Sequence, residues 1–186
     1  MSERWSFLVD PAWRPPQAGG PPPFSAVIGG WFVPGTGEPG PFRANPGYRP
    51  SHPGMPTDPV DVALQRLALG DGDPDELVTA VGSVLLGLAV DGSGAPLVAA
   101  APDGVPSVLV ATAPLHRSIV DAPAWRESTA EGLLAVLPPH TDILLNPGGD
   151  ASMRLAASAL RGLVQPVAAP DAASGFWEDD VFGGVA

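Results

Sequence analysis

The chain has 186 residues, with 25 prolines, 23 glycines, no cysteine and a formal net charge of -11. That length accommodates one domain of about 100–130 residues with irregular segments attached. The lack of cysteine excludes a disulfide framework, a zinc ribbon, a thiol nucleophile and an iron–sulfur site. All nine basic residues are arginine and acids outnumber them, so there is no basic surface to neutralise phosphates and nucleic acid is not an expected partner.

Fourteen of the prolines fall in residues 1–60, and the periodic apolar runs begin after Pro59. Residues 1–59 therefore read as a Pro/Gly/Trp-rich extended arm. Pro21-Pro-Pro and the X-Pro pairs from 46 to 59 force extended backbone. Between them Ala26–Val33 reads as a strand, and Pro41–Asn45 as a return partner in a short hairpin. The arm carries Trp5, Trp13 and Trp31, more aromatic residues than a disordered spacer has.

Residues 60–165 read as an α+β domain. Asp58-Pro59 opens a helix with a capping acid and a proline in its first turn. Val60, Leu64, Leu67 and Ala68 share one face, and Gly70 stops the helix. Asp73-Pro74 opens a second helix with Leu77, Val78 and Val81 on its buried stripe. Three apolar runs follow, 85–90, 96–100 and 105–112, separated by two Asp-Gly turns. This pattern predicts a three-stranded antiparallel meander.

Beyond it, Pro123–Arg126 reads as a loop, and Ser128-Thr-Ala-Glu131 as a capping box for a Leu-rich helix that ends at Pro138. Residues 141–146 form a further short strand, Pro147-Gly-Gly a turn, and Asp150 the cap of a last helix carrying Met153, Leu155, Leu160, Leu163 and Val164. In that helix Asp150 and Arg154 stand at i and i+4. Residues 166–186 read as an acidic aromatic tail, with Phe176 and Trp177 as docking residues or as side chains folded back on the core. The expected architecture is a mainly antiparallel sheet, the meander plus a further strand, packed with helices and preceded by the irregular arm.

No stretch approaches 18 apolar residues, so no membrane span is expected. The N-terminus reaches Asp10 without the apolar core of a secretory signal, which points to the cytoplasm.

No catalytic, metal or cofactor constellation stands out along the chain. His52, His116 and His140 lack metal-site spacing. His116-Arg117 follows a strand, a place suited to holding an anion, but capping is the simpler role. Asp91-Gly-Ser-Gly94 falls short of a nucleophile elbow and reads as a hairpin turn. Gly148-Gly149 has no lysine to complete a phosphate loop, and Asp71, Asp73, Asp75 and Glu76 lack the glycine of a calcium loop.

The strand Ser107–Ala113, the Leu-rich helix before Leu137-Pro and the segment Ile143-Leu-Leu-Asn-Pro-Gly-Gly149 together resemble the N-terminal domain of the SseB family, the "enhanced serine sensitivity" proteins, over about residues 60–165. The likeness is to actinobacterial members associated with type VII secretion. It implies a cytoplasmic accessory or adaptor role, no catalysis and a protein partner. Residues 61–186 carry the whole net charge. The expected function is a non-enzymatic protein-binding adaptor with Trp5, Trp13, Trp31, Phe176 and Trp177 as partner-binding anchors. An acidic immunity or antitoxin protein that neutralises a toxin is the alternative.

Overall fold

A computed structural model describes residues 3–16, 19–35 and 37–163. The expected tail at 166–186, with Phe176 and Trp177, lies outside them. The described chain is α+β, with a three-stranded sheet, a six-stranded sheet and five α-helices.

The arm is more ordered than its composition suggests. Strand β1 (Arg4–Val9) runs antiparallel to β2 (Val27–Val33), which pairs with the short β3 (Arg43–Ala44). The expected 26–33 strand and its 41–45 partner are both present, and β1 is an addition. Glycine makes this sheet possible: a Cβ on Gly29 would stand 2.3 Å from the Arg43 carbonyl oxygen and 2.4 Å from the Phe42 ring. Val27, Ile28, Phe42 and Tyr48 are buried. The Phe42 N–H donates to the Ser83 carbonyl at 2.8 Å and the Leu85 N–H to the Phe42 carbonyl at 2.8 Å, so the backbone ties this sheet to the rest.

Helices α1 (Pro59–Leu69) and α2 (Pro74–Gly82) form as the sequence dictates. The Asp58 carboxylate accepts from the N–H groups of Val60 and Asp61, and Gly70 closes α1 at φ 81°. Asp73 caps α2, whose buried residues are Leu77, Val78 and Val81. On α1 the buried face carries Val60, Ala63 and Leu64, while Ala68 is exposed.

The second sheet corrects the expected meander. Strands β4 (Leu86–Val90), β5 (Val98–Ala100) and β6 (Pro106–Ala111) do run antiparallel, but β4 hydrogen-bonds directly to β6. The short β5 pairs only with the start of β6, and the segment leading into it touches β4 through a single bridge, Val90 to Pro96. Residues 96–97 thus sit between the ends of β4 and β6, and β5 continues as an exposed edge along the start of β6.

Residues 123–126, expected as a loop, belong to β7 (Ala124–Ser128), an edge strand along the whole of β4. Arg126 and Glu127 on that edge hide the apolar alternation and discourage further pairing. Ser128 ends this strand, so the cap of α4 (Ala130–Val136) is Thr129, whose hydroxyl accepts from the Gly132 N–H at 3.1 Å.

Strand β8 (Asp142–Leu145) lies parallel to β6, which makes the sheet mixed, while its other four pairings are antiparallel, as expected. Met153 and Leu155, expected on a helix, lie on β9 (Met153–Leu155), antiparallel to β8. The last helix, α5 (Ala157–Leu163), starts later, and its first N–H donates to the Asp142 carboxylate at 3.0 Å. Asp142 on the neighbouring strand does the work expected of Asp150. Arg154 correspondingly pairs with Asp103 and Asp142. The strand order is β7-β4-β6-β8-β9.

Leu86, Leu88, Val108, Val110, Ile143 and Leu145 form one apolar cluster with buried residues of α1, α2, α4 and α5. Ile28, Phe42 and Tyr48 from the arm belong to the same cluster.

Candidate functional site

Strands β6 and β8 run parallel and end side by side, and the crevice outside the carboxyl ends of parallel strands is where open α/β sheets hold ligands. Thr112 and Asn146 follow the two strand ends. The Asn146 side-chain oxygen accepts from the Thr112 N–H at 2.9 Å, and its NH2 donates to the Thr112 hydroxyl at 3.0 Å. Asn146 has φ 47°, a conformation asparagine tolerates better than most side chains. The Asn-Pro-Gly segment is therefore a clasp between two strand ends.

The N-terminus of α1 abuts this clasp. Asp58 is 1% exposed, and its carboxylate accepts four hydrogen bonds. Two come from the backbone; the others come from the hydroxyls of Thr112 at 2.6 Å and Thr57 at 3.0 Å. Burial pushes the Asp58 carboxyl above the usual carboxylate range and the neighbouring Asp61 adds to it, against the opposing hydrogen bonds.

His116 comes from α3 (Pro114–Arg117), 59 residues away from Thr57 in sequence, and its Nε2 lies 2.9 Å from the Thr57 hydroxyl. The Thr57 hydroxyl also lies within hydrogen-bond reach of the Asp58 and Asp61 carboxylates, at 3.0 and 3.3 Å, and His116 Nδ1 faces the Gly149 side. Asp61 lies beside both: its Oδ2 is 4.0 Å from His116 Nε2 and accepts from the Thr57 N–H at 3.0 Å and from Gln65 Nε2 at 3.3 Å.

Thr57, Asp61, Gln65 and His116 form the floor of a cleft of about 770 Å³, within the usual range for ligand pockets. One wall is residues 50–55, another α1, and the third the turns at 115–119 and 148–151. The rim is apolar. Leu69, Leu115 and Ile119 are 81%, 48% and 52% exposed and all line it. Grouped exposed apolar side chains beside convergent polar ones mark a binding surface.

The 50–55 wall is fastened by Asp10, which is 3% exposed and accepts from the Tyr48 hydroxyl at 2.9 Å, the Ser51 N–H at 3.1 Å and the Ser51 hydroxyl at 3.2 Å. Burial acts to raise the Asp10 pKa, but these bonds and one from the Ala12 N–H outweigh it and hold the carboxyl below its ordinary value. A depressed folded-state pKa contributes stability that is present above the unfolded value of about 3.9 and is lost as pH falls through the folded one. Asp10→Asn should accordingly narrow the gap in melting temperature between pH 6 and pH 3, as read by circular dichroism. An unchanged gap would remove Asp10 as an anchor of this wall.

The cleft corrects the expectation that no constellation exists: Thr57, Asp61 and His116 converge, although they carry no spacing signal. A hint was present in Asp58-Pro-Val-Asp61, whose two acids lie on the first turn of a helix. His116 and Arg117, adjacent in sequence, part company. Arg117 turns to the sheet, with Nε 2.8 Å from where a Cβ on Gly87 would stand and its guanidinium 5.8 Å from the Trp125 ring centre. Burial draws the Arg117 pKa down, opposed by the charge of Glu127.

Among the described residues, none of the tryptophans expected as anchors, Trp5, Trp13 and Trp31, lines the cleft. Trp31 packs on the core cluster, edge-on to Phe42 at 4.8 Å, and Trp5 lies 5.5 Å from Phe32. Trp13 is half-buried in the turn after Asp10. His52 lines the wall of the cleft. Among the described residues no group of three or more acids and histidines is placed to hold a metal ion, and no helix is long and apolar enough to cross a membrane. Comparison with protein-family models, curated proteins and solved structures finds no match to this chain.

Proposed function

We propose that the chain is a non-enzymatic adaptor that holds a basic polypeptide partner, and that the cleft between α1 and the 115–119 turn is where it does so. The observation that carries this reading is the grouping of exposed Leu69, Leu115 and Ile119 around a carboxylate floor in a chain of net charge -11. Apolar side chains supply the buried area of a small interface, and the acidic field speeds encounter with a basic surface. A role beside type VII secretion rests on the likeness of residues 107–113 and 143–149 to SseB-family proteins.

A photo-crosslinking amino acid at Leu69 tests the reading in the cells that make the protein. The expected product is a discrete adduct whose second chain is basic, absent when the crosslinker replaces Val98 on β5. Equal, diffuse labelling from both positions would refute it.

A further inference from the structure

The cleft has a chemical bias that its volume alone does not convey. Two side-chain oxygens on its floor have no donor among the described residues. Asp61 is only 4% exposed, and its hydrogen bonds within the described residues all fall on Oδ2, which leaves Oδ1 open. His116 Nε2 is engaged by the Thr57 hydroxyl, and its Nδ1 faces the Gly149 side. Gln65 gives its NH2 to Asp61, and its amide oxygen has no partner among the described residues. Asp150 brings another carboxylate to the lining. An open carboxylate oxygen at the floor of a cleft is best met by a group that brings N–H bonds and positive charge.

Above this floor stand Met55, Leu69, Leu115 and Ile119, a sleeve suited to an aliphatic stem. We propose that the cleft is a receptor for one lysine or arginine side chain of a polypeptide, the stem packed between Leu69 and Ile119 and the cationic head on Asp61 Oδ1. This rests on the adaptor reading and specifies what that interface recognises. A polypeptide is favoured over a free amine because the exposed rim extends well past what a small cation covers: Leu69 keeps 81% of its surface. Long basic side chains bury their methylenes on apolar surface while the head seeks a carboxylate.

The test is a titration of the full chain, followed by amide NMR shifts, with a capped heptapeptide carrying one central lysine between leucines. Saturable shifts should be confined to 50–55, to α1, to 115–119 and to 147–151. Acetylating the lysine ε-amine, which keeps the stem and removes the charge, should weaken binding at least about tenfold, and so should Asp61→Asn. Equal binding of the charged and acetylated peptides would overturn the proposal, and that comparison needs no variant. Pentylamine binding as tightly as the peptide would also overturn it, because the rim would then contribute nothing. If Leu69 crosslinks to a basic partner whose binding survives Asp61→Asn, the cleft chemistry falls and the adaptor stands. If the lysine peptide binds as expected but no Leu69 adduct forms, the adaptor reading falls and the side-chain receptor stands.

Discussion

Asp58→Ala should lower the stability of the protein by about 3–4 kcal/mol, the largest effect expected of any single polar substitution here. The variant removes the cap of α1 and leaves four donors facing a methyl group: the N–H groups of Val60 and Asp61 and the hydroxyls of Thr57 and Thr112. For a domain of this size, that corresponds to a fall of about 10 °C in melting temperature. Asp58→Asn should be much milder, because asparagine caps helices as well as aspartate does. The pair also has a pH signature. Burial raises the Asp58 pKa in the folded state, so its contribution is fully present below the unfolded value and is lost as pH rises through the folded one. The stability advantage of the wild type over Asp58→Asn should therefore shrink on going from pH 4 to pH 8. Calorimetry at several pH values reads this directly, and an advantage that grows with pH would show that the hydrogen bonds, not burial, govern the group.

Phe42→Ala is expected to cost about 3–5 kcal/mol, the usual range for emptying a buried phenylalanine site. Phe42 is 1% exposed, stacks edge-on against Trp31 and sits between the two backbone hydrogen bonds that join the arm to Ser83 and Leu85. The transition should shift as one, in far-UV and tryptophan signals alike, because Ile28, Phe42 and Tyr48 share a cluster with the helices. A variant in which tryptophan fluorescence melts well before the helical signal would mean that the arm is an independent unit. Deleting residues 1–55 removes those three side chains from the cluster, and the truncated protein should aggregate through the surface they leave behind.

The elements legible in the chain were those whose physics is local. α1 and α2 follow from an acid, a proline and an apolar stripe within a dozen residues, and Asp58, Asp73 and Gly70 act as read. The runs that became β4, β6 and β8 were equally plain, because fully buried strands are continuous apolar segments. β7 was not, since Arg126 and Glu127 mask an edge strand whose only reason to form is the backbone of β4 beside it. β9 was read as helix because Asp150 looked like a cap. The actual cap of α5, Asp142, lies on a strand 15 residues before the N–H it serves.

By itself, the amino-acid sequence determined that this protein combines helices with buried strands, begins its first two helices on Asp-Pro pairs, and carries a strongly acidic second part. Only the tertiary structure decided that β6 and β8 run parallel, and with that, which residues meet at their ends. His116 and Thr57 are 59 residues apart and Thr112 and Asp58 are 54 apart, and neither pair has a local spacing to betray it. The physical reason is that capping and periodicity act within a few residues, whereas a cleft is made where distant segments are forced together by the burial of the apolar faces they also carry.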